Sequence, residues 1–195
     1  MNSNKKRFDD NLKRVESMCS IYELLKNSQC SDKNVDYKYT DILRSAVVFL
    51  HSSFEDYYRD VIIKKIIENG SRELLDGMGL PDDSKNKKIV LKDLLKYRNL
   101  TVEDLIENSV NSYMSEKSFN DYSDICNWAK RIGLDMSKYS KGSTISAAIE
   151  RRHRIVHEAD LRTDKMSLRL IKKETLEKWI NAYVELVDII DIQIN

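Results

Sequence analysis

A single proline, Pro81, and five glycines punctuate a chain of 195 residues. An all-β sandwich needs a turn every few residues, so this scarcity of turn formers points to long helices. Apolar residues recurring at three- and four-residue steps mark them out. The first helix is predicted over Phe8–Lys26, on Leu12, Val15, Cys19 and Tyr22. A polar connection spans 27–34. The longest helix is predicted over Tyr37–Asn69, with Ala46, Phe49, Leu50, Ser53, Phe54, Tyr57, Tyr58, Val61 and Ile62 as one stripe and Asn69-Gly70 as its stop signal. Asp76–Ser84, with Gly77, Gly79 and Pro81, reads as a loop. A short helix over Val90–Tyr97 follows. Thr101 opens a capping pattern for a helix to about Tyr113. A further helix runs from Phe119 or Asn120 to Arg131, ending at Gly133. Gly142-Ser143-Thr144 leads into a helix near Ile145. The last helix, Lys173–Ile192, carries Leu176, Trp179, Ile180, Tyr183, Leu186, Val187 and Ile190 on one face. The expected fold is all-α: an up-and-down bundle in one domain, 1–195, with short helices inserted between the second and penultimate long ones.

Charge narrows the function classes. With 33 Lys+Arg against 32 Asp+Glu, the net charge of +1 excludes a generally basic nucleic-acid coat or an acidic tail, while leaving room for a local basic patch. Cys19, Cys30 and Cys126 have no CxxC spacing, so neither a disulfide framework nor a zinc knuckle is expected, and a reducing cytoplasm is the expected compartment. No apolar signal core follows the N-terminal residues, and no run approaches the roughly 18–20 apolar residues of a membrane span. No GxGxxG or P-loop is present, and no cofactor is expected.

The most informative segment is Ile145-Ser-Ala-Ala-Ile-Glu-Arg-Arg-His-Arg-Ile-Val-His-Glu-Ala-Asp160. At roughly 100° per residue, Ile145, Ala148, Ile149, Ile155, Val156 and Ala159 all project within roughly 60° of Arg152. Arg152 is therefore placed in the apolar stripe, with Arg151 and Arg154 directed elsewhere and solvated. A guanidinium in a core register is costly unless paired. It either forms a structural ion pair or snorkels from the stripe edge, or it projects into a cleft to meet an anion such as phosphate. His157 lies five residues on, roughly 140° around the helix, so the two do not stack on one face. His153 and His157 also have a zinc spacing, but the Glu of HExxH is missing and three arginines would repel a metal ion.

Arg152-His153-Arg154-Ile155-Val156-His157 resembles the R-x4-6-H signature of the HEPN superfamily, with His153 at the polar position after the Arg. The longer string from Glu150 to Asp160 resembles HEPN domains of RiboL-PSP-HEPN and related bacterial defence-linked families. The segment Phe49–Ile62 is similar to their long early helix. The resemblance covers most of the chain. It implies a helical bundle that dimerises, with two motif helices lining a shared cleft. It further implies a metal-independent endoribonuclease, of the toxin or phage-defence kind, although some members only bind or scaffold.

On that resemblance Arg152 and His157 are the expected catalytic residues and His153 a supporting one. His157 can move a proton to or from a sugar oxygen, and Arg152 can offset charge on a phosphorane. Glu55 either pairs with His51 across one helical turn or faces the cleft to neutralise Arg152. Lys85–Arg98 carries six positive charges and one negative. It is either a solvated basic surface or a phosphate-tracking arm in which Lys88 and Lys92, together with Arg151 and Arg154, hold RNA and Tyr97 stacks a base. The expected partners are RNA, a second copy of the chain, and a cognate antitoxin or defence-system protein. The alternatives are a non-catalytic module binding RNA, a nucleotide or a protein in the same cleft, and a helical adaptor whose dimer surface is its function.

Overall fold

The computed structural model describes residues 3–28, 39–69, 72–83, 88–164 and 167–194. The connection at 29–38, Gly70, Ser84, Lys85 and Lys87 lie outside the described residues. Eight α-helices are present among the described residues: α1 (Ser3–Ser28), α2 (Thr40–Asn69), α3 (Arg72–Leu75), α4 (Leu91–Leu94), α5 (Val102–Ser115), α6 (Tyr122–Arg131), α7 (Gly142–Glu158) and α8 (Lys173–Ile194). A 3₁₀ turn, Leu95–Tyr97, continues α4. The only β-type pairings among the described residues are isolated bridges, Leu80 with Asp83 and Leu161 with Leu168. The expected all-α bundle is the observed one.

The long helix α2 is the centre of the bundle, packed by α1, α5, α7 and α8. Its predicted stripe is buried except for Phe49, which is half-buried under the guanidinium of Arg14, 4.1 Å from the ring centre. The whole predicted α8 stripe is buried. Aromatic rings join these two helices. Phe54 stacks on Tyr58 with centroids 5.5 Å apart and meets Tyr183 of α8 at 5.1 Å. Phe119 closes the cluster edge-on to Tyr58 at 5.0 Å. Each such pair adds about 0.5–1.5 kcal/mol beyond the area it buries. Two of the buried hydroxyls are satisfied by backbone: Tyr58 donates to Ile125 C=O at 2.7 Å and Tyr139 to Ala182 C=O at 2.9 Å.

Local rules set several helix ends. Thr101 accepts from the Asp104 N–H at 3.1 Å while the Asp104 carboxylate accepts from the Thr101 N–H, a complete capping box with Asp in the usual Glu place. α6 starts at Tyr122, later than expected, because Asp121 caps it by accepting from the Ser123 N–H at 3.0 Å. α1 begins at Ser3, five residues before the predicted start. Its polar first turn gains the ion pair of Lys5 with Asp188 on α8, at 2.8 Å, which periodicity cannot display. Gly142 opens α7 because a Cβ there would stand 2.5 Å from the Tyr122 ring.

Candidate functional site

α7 is buried at Ile145, Ala148 and Ile149, and then its apolar stripe leaves the core. Ile155 is half-buried, Val156 is 48% exposed and Ala159 is exposed. The expectation of a continuous core face through Ala159 is corrected: Ile155 still packs against the core and, with Ala159, lines a cavity with Met18 of α1 and Phe49 of α2, while Val156 turns outward. Arg152 stands where the stripe crosses from core to surface, which is why its stem is only half-buried.

The head of Arg152 points toward α2 and α8, where it acts electrostatically on His51 and Tyr183. Its Nε is buried and has no hydrogen-bond acceptor. The structural ion pair that would make it an ordinary core arginine is not formed among the described residues. Glu55 belongs to the same cluster, acting on both His51 and Tyr183, but its carboxylate is engaged elsewhere. Oε1 accepts from the Phe119 N–H at 2.9 Å and stands 3.7 Å from His51 Nε2. The sequence alternative of a Glu55–His51 pairing is thus the observed contact, and Glu55 makes no direct ion pair with Arg152.

His51 is 1% exposed, and its Nδ1 lies 2.8 Å from the Tyr183 hydroxyl. Burial pushes its pKa down to about 4; the Glu55 charge opposes this and the Arg152 charge assists it. Burial, with Glu55 adding, pushes the Tyr183 phenol up. The cluster thus presents a neutral imidazole and a neutral phenol behind one carboxylate and one guanidinium. The Arg152 guanidinium has no direct carboxylate partner among the described residues, so an anion meeting its outer nitrogens would displace none.

His153 and His157 lie on the outer side of α7, both exposed, with ring centres 4.5 Å apart. The four-residue spacing that suggested a metal pair produces a ring contact instead. Within one chain, Arg152 is directed inward and His157 outward, as the roughly 140° offset requires.

The expectation that Arg151 is solvated is corrected. Its side chain is 16% exposed, and Nη2 donates to Asp160 Oδ2 at 2.8 Å and to the carbonyls of Arg169 and Leu170, both at 3.1 Å. Burial lowers its pKa and the Asp160 charge opposes that shift. Arg154 is part-exposed and pairs with Glu150 one turn earlier. Lys88 lines a cleft of about 120 Å³ together with Asp82, Asp83, Asp93 and Lys96, while Lys92 is exposed on α4.

Sequence reasoning missed Asp160 and Arg44. Asp160 is 0% exposed and its Oδ2 also accepts from Arg44 Nε at 2.7 Å. Arg44 further reaches the Thr40 hydroxyl and the Arg169 carbonyl. One carboxylate thus ties α2, the end of α7 and the chain returning to α8. Ala159 and Asp160 have φ of 50° and 57°, and the Asp160 N–H closes back on the Arg154 carbonyl at 3.0 Å. This is a Schellman-type ending without glycine, so no stop signal stood in the sequence. The helical projection that flagged Arg152 would have flagged Arg44, four residues before Val48 and seven before His51.

The penultimate long helix of this all-helical bundle thus turns inward an arginine unpaired among the described residues, and turns two histidines outward. The sequence model of the RiboL-PSP-HEPN family matches residues 9–195, and the chain belongs to that family. No curated protein and no solved structure matches it significantly. No helix among the described residues is long and apolar enough to cross a membrane, and no described group of three or more His, Cys, Asp or Glu is placed to hold a metal ion.

Proposed function

We propose that the chain is a metal-independent endoribonuclease, acting as a bacterial toxin or phage-defence effector, with Arg152 and His157 catalytic. The observation that carries this reading is the Arg152 guanidinium, held at the edge of the core with a buried Nε that no acceptor satisfies. Burying a charged group in that state is expensive, and a phosphate bound there would offset the cost. The family membership gives the reading its chemical class.

In the proposed reaction a base removes the proton of the 2′-hydroxyl, O2′ bonds to phosphorus, and the P–O5′ bond breaks as an acid protonates O5′. Arg152 stabilises the added negative charge on the phosphorane. His157 supplies base or acid. Because His157 and Arg152 lie on different sides of one helix, the reading needs two copies of α7 in one composite cleft, each bringing one of each residue. Val156 and Ala159, exposed on and just after α7, support such pairing. His153 supports by ring contact with His157, and Glu55 by orienting the cluster behind Arg152. Of the expected RNA contacts, Arg154 has exposed atoms to offer on the motif helix, whereas Arg151 is held by Asp160 and Lys88 and Lys92 lie apart from that helix, before and on α4.

The same offset between Arg152 and His157 favours a second reading, a non-catalytic module in which Arg152 alone holds the phosphate of RNA or a nucleotide, or an anionic group of a partner protein. Purified wild-type, Arg152→Ala and His157→Ala proteins incubated with total cellular RNA in EDTA separate the two. The expected result is cleavage by the wild type alone, leaving 2′,3′-cyclic phosphate and 5′-hydroxyl ends. Undiminished cleavage by both variants, or 3′-hydroxyl and 5′-phosphate ends, would overturn the ribonuclease reading. RNA retained intact by the wild type and released by Arg152→Ala would favour the binding module.

A further inference from the structure

Between Lys88 and Ser109, 22 consecutive residues include none that is buried. They nevertheless hold helical form, as α4, the 3₁₀ turn and the first two turns of α5. They are also not polar. Of the 13 large aliphatic residues exposed among those described, seven fall here: Ile89, Val90, Leu91, Leu95, Leu100, Val102 and Ile106. Leu91 is 82% exposed, Leu95 69% and Val102 70%. Short helices are marginal in water on their own and draw their stability from an apolar face that something covers. This arm has the apolar residues, but nothing among the described residues buries them.

Charge along the arm is divided into two blocks. The half from Lys88 to Leu100 has Lys88, Lys92, Lys96 and Arg98 against Asp93 alone, and Lys96 already reaches Asp82 at 3.6 Å. The half from Val102 to Ser109 has Glu103, Asp104 and Glu107 and no Lys or Arg. Each block is interleaved with exposed aliphatics. A two-fold axis between two such arms places the basic half of each against the acidic half of the other, with the interleaved aliphatics packed between them. A surface that is complementary to itself in this way is what an isologous interface requires. A nucleic-acid arm would not carry an acidic block beside the basic one or spend seven aliphatic residues where aromatic stacking is wanted. An anionic membrane would repel Glu103, Asp104 and Glu107.

We infer that the 88–109 arm is a self-complementary docking surface whose occupant is the same arm of a second copy of this chain. It is separate from the α7 face invoked for the composite cleft and does not depend on the ribonuclease reading.

Charge reversal tests this in sedimentation experiments on the full chain between 1 and 100 µM. The two variants are Lys92→Glu/Arg98→Glu, reversing the basic half, and Glu103→Lys/Glu107→Lys, reversing the acidic half. All four positions are exposed, and circular dichroism checks that each variant folds. Each variant alone is expected to weaken association at least tenfold. An equimolar mixture of the two is expected to regain it, because one heterologous pair then restores complementary blocks. A wild type that forms tetramers while the variants stop at dimers supports the arm and leaves a second interface for the motif. A wild-type dimer that becomes monomeric in both variants supports the arm and removes the composite cleft. Association unchanged in both variants would overturn the arm and leave the α7 face as the interface. A monomeric wild type at 100 µM, or no recovery in the mixture, would equally overturn it. So would a monomer that pellets with vesicles of 3:1 phosphatidylcholine and phosphatidylglycerol, which would give the face to lipid.

Discussion

The Tyr183 hydroxyl on α8 lies 2.8 Å from Nδ1 of His51 on α2, and it fixes how the imidazole presents itself to the motif helix. Nε2 of the same ring is buried 3.7 Å from Glu55 Oε1. A proton on Nε2 faces an anion there, so the favoured tautomer is Nε2–H, with Nδ1 accepting from Tyr183. Nitrogen-15 NMR of the wild type should report this tautomer at neutral pH, and an Nδ1–H tautomer would contradict it. Tyr183→Phe leaves a buried acceptor unmatched. It should cost about 1–3 kcal/mol, read as a fall in Tm of about 2–4 °C per kcal/mol for a chain this size.

The same histidine ties stability to pH. Its folded pKa, about 4, is below the ordinary 6.5, because burial outweighs the Glu55 charge. Between those two values the unfolded chain binds a proton that the folded chain does not, so stability falls as pH drops through that window. Above the ordinary pKa the term is zero. Fully developed it is roughly 3 kcal/mol. Urea denaturation of wild type and His51→Gln at pH 7 and pH 5 should give a smaller loss in the variant. Parallel losses would show that other groups dominate.

Asp160 and Arg152 make opposite forecasts for stability. Asp160→Ala strands two buried guanidinium groups, of Arg44 and Arg151, and should cost about 3–5 kcal/mol. Asp160→Asn should recover only part of that, keeping an acceptor but not the charge. Arg152→Ala removes a head with no acceptor on Nε and should cost under about 1 kcal/mol, with circular dichroism and Tm close to wild type. If Arg152→Ala proves as destabilising as Asp160→Ala, Arg152 is structural and the argument for an anion at that position fails.

Gly142→Ala should be destabilising by about 1–2 kcal/mol, the overlap with Tyr122 exceeding the helix propensity gained. In a Tyr122→Leu background the same change should become neutral or stabilising. Thermal melts of the four proteins form the cycle, and additive effects would show that the ring is not the obstacle.

Much of the architecture was legible in the sequence because it follows from period and scarcity. The α2 and α8 stripes were read correctly, since a buried helix must repeat apolar residues at 3.6-residue spacing. The capping box at Thr101 was equally legible, because its residues are local. The motif around Arg152 was also visible, as an arginine out of place in an apolar register. Tertiary structure alone decided what that register meant. Whether Arg152 had a carboxylate partner depended on how α2 and α8 cross α7, and sequence spacing carries no such distance. The Asp160 anchor joins residues 116 positions apart through Arg44, and it ends α7 on two left-handed residues that no glycine announced. Arg151 was misread because a helical wheel shows direction but not the chain returning at Arg169 to bury it. The arm at 88–109 shows the same limit from the other side. The sequence displayed its charges, and only the fold showed that its aliphatic residues stay exposed among the described residues.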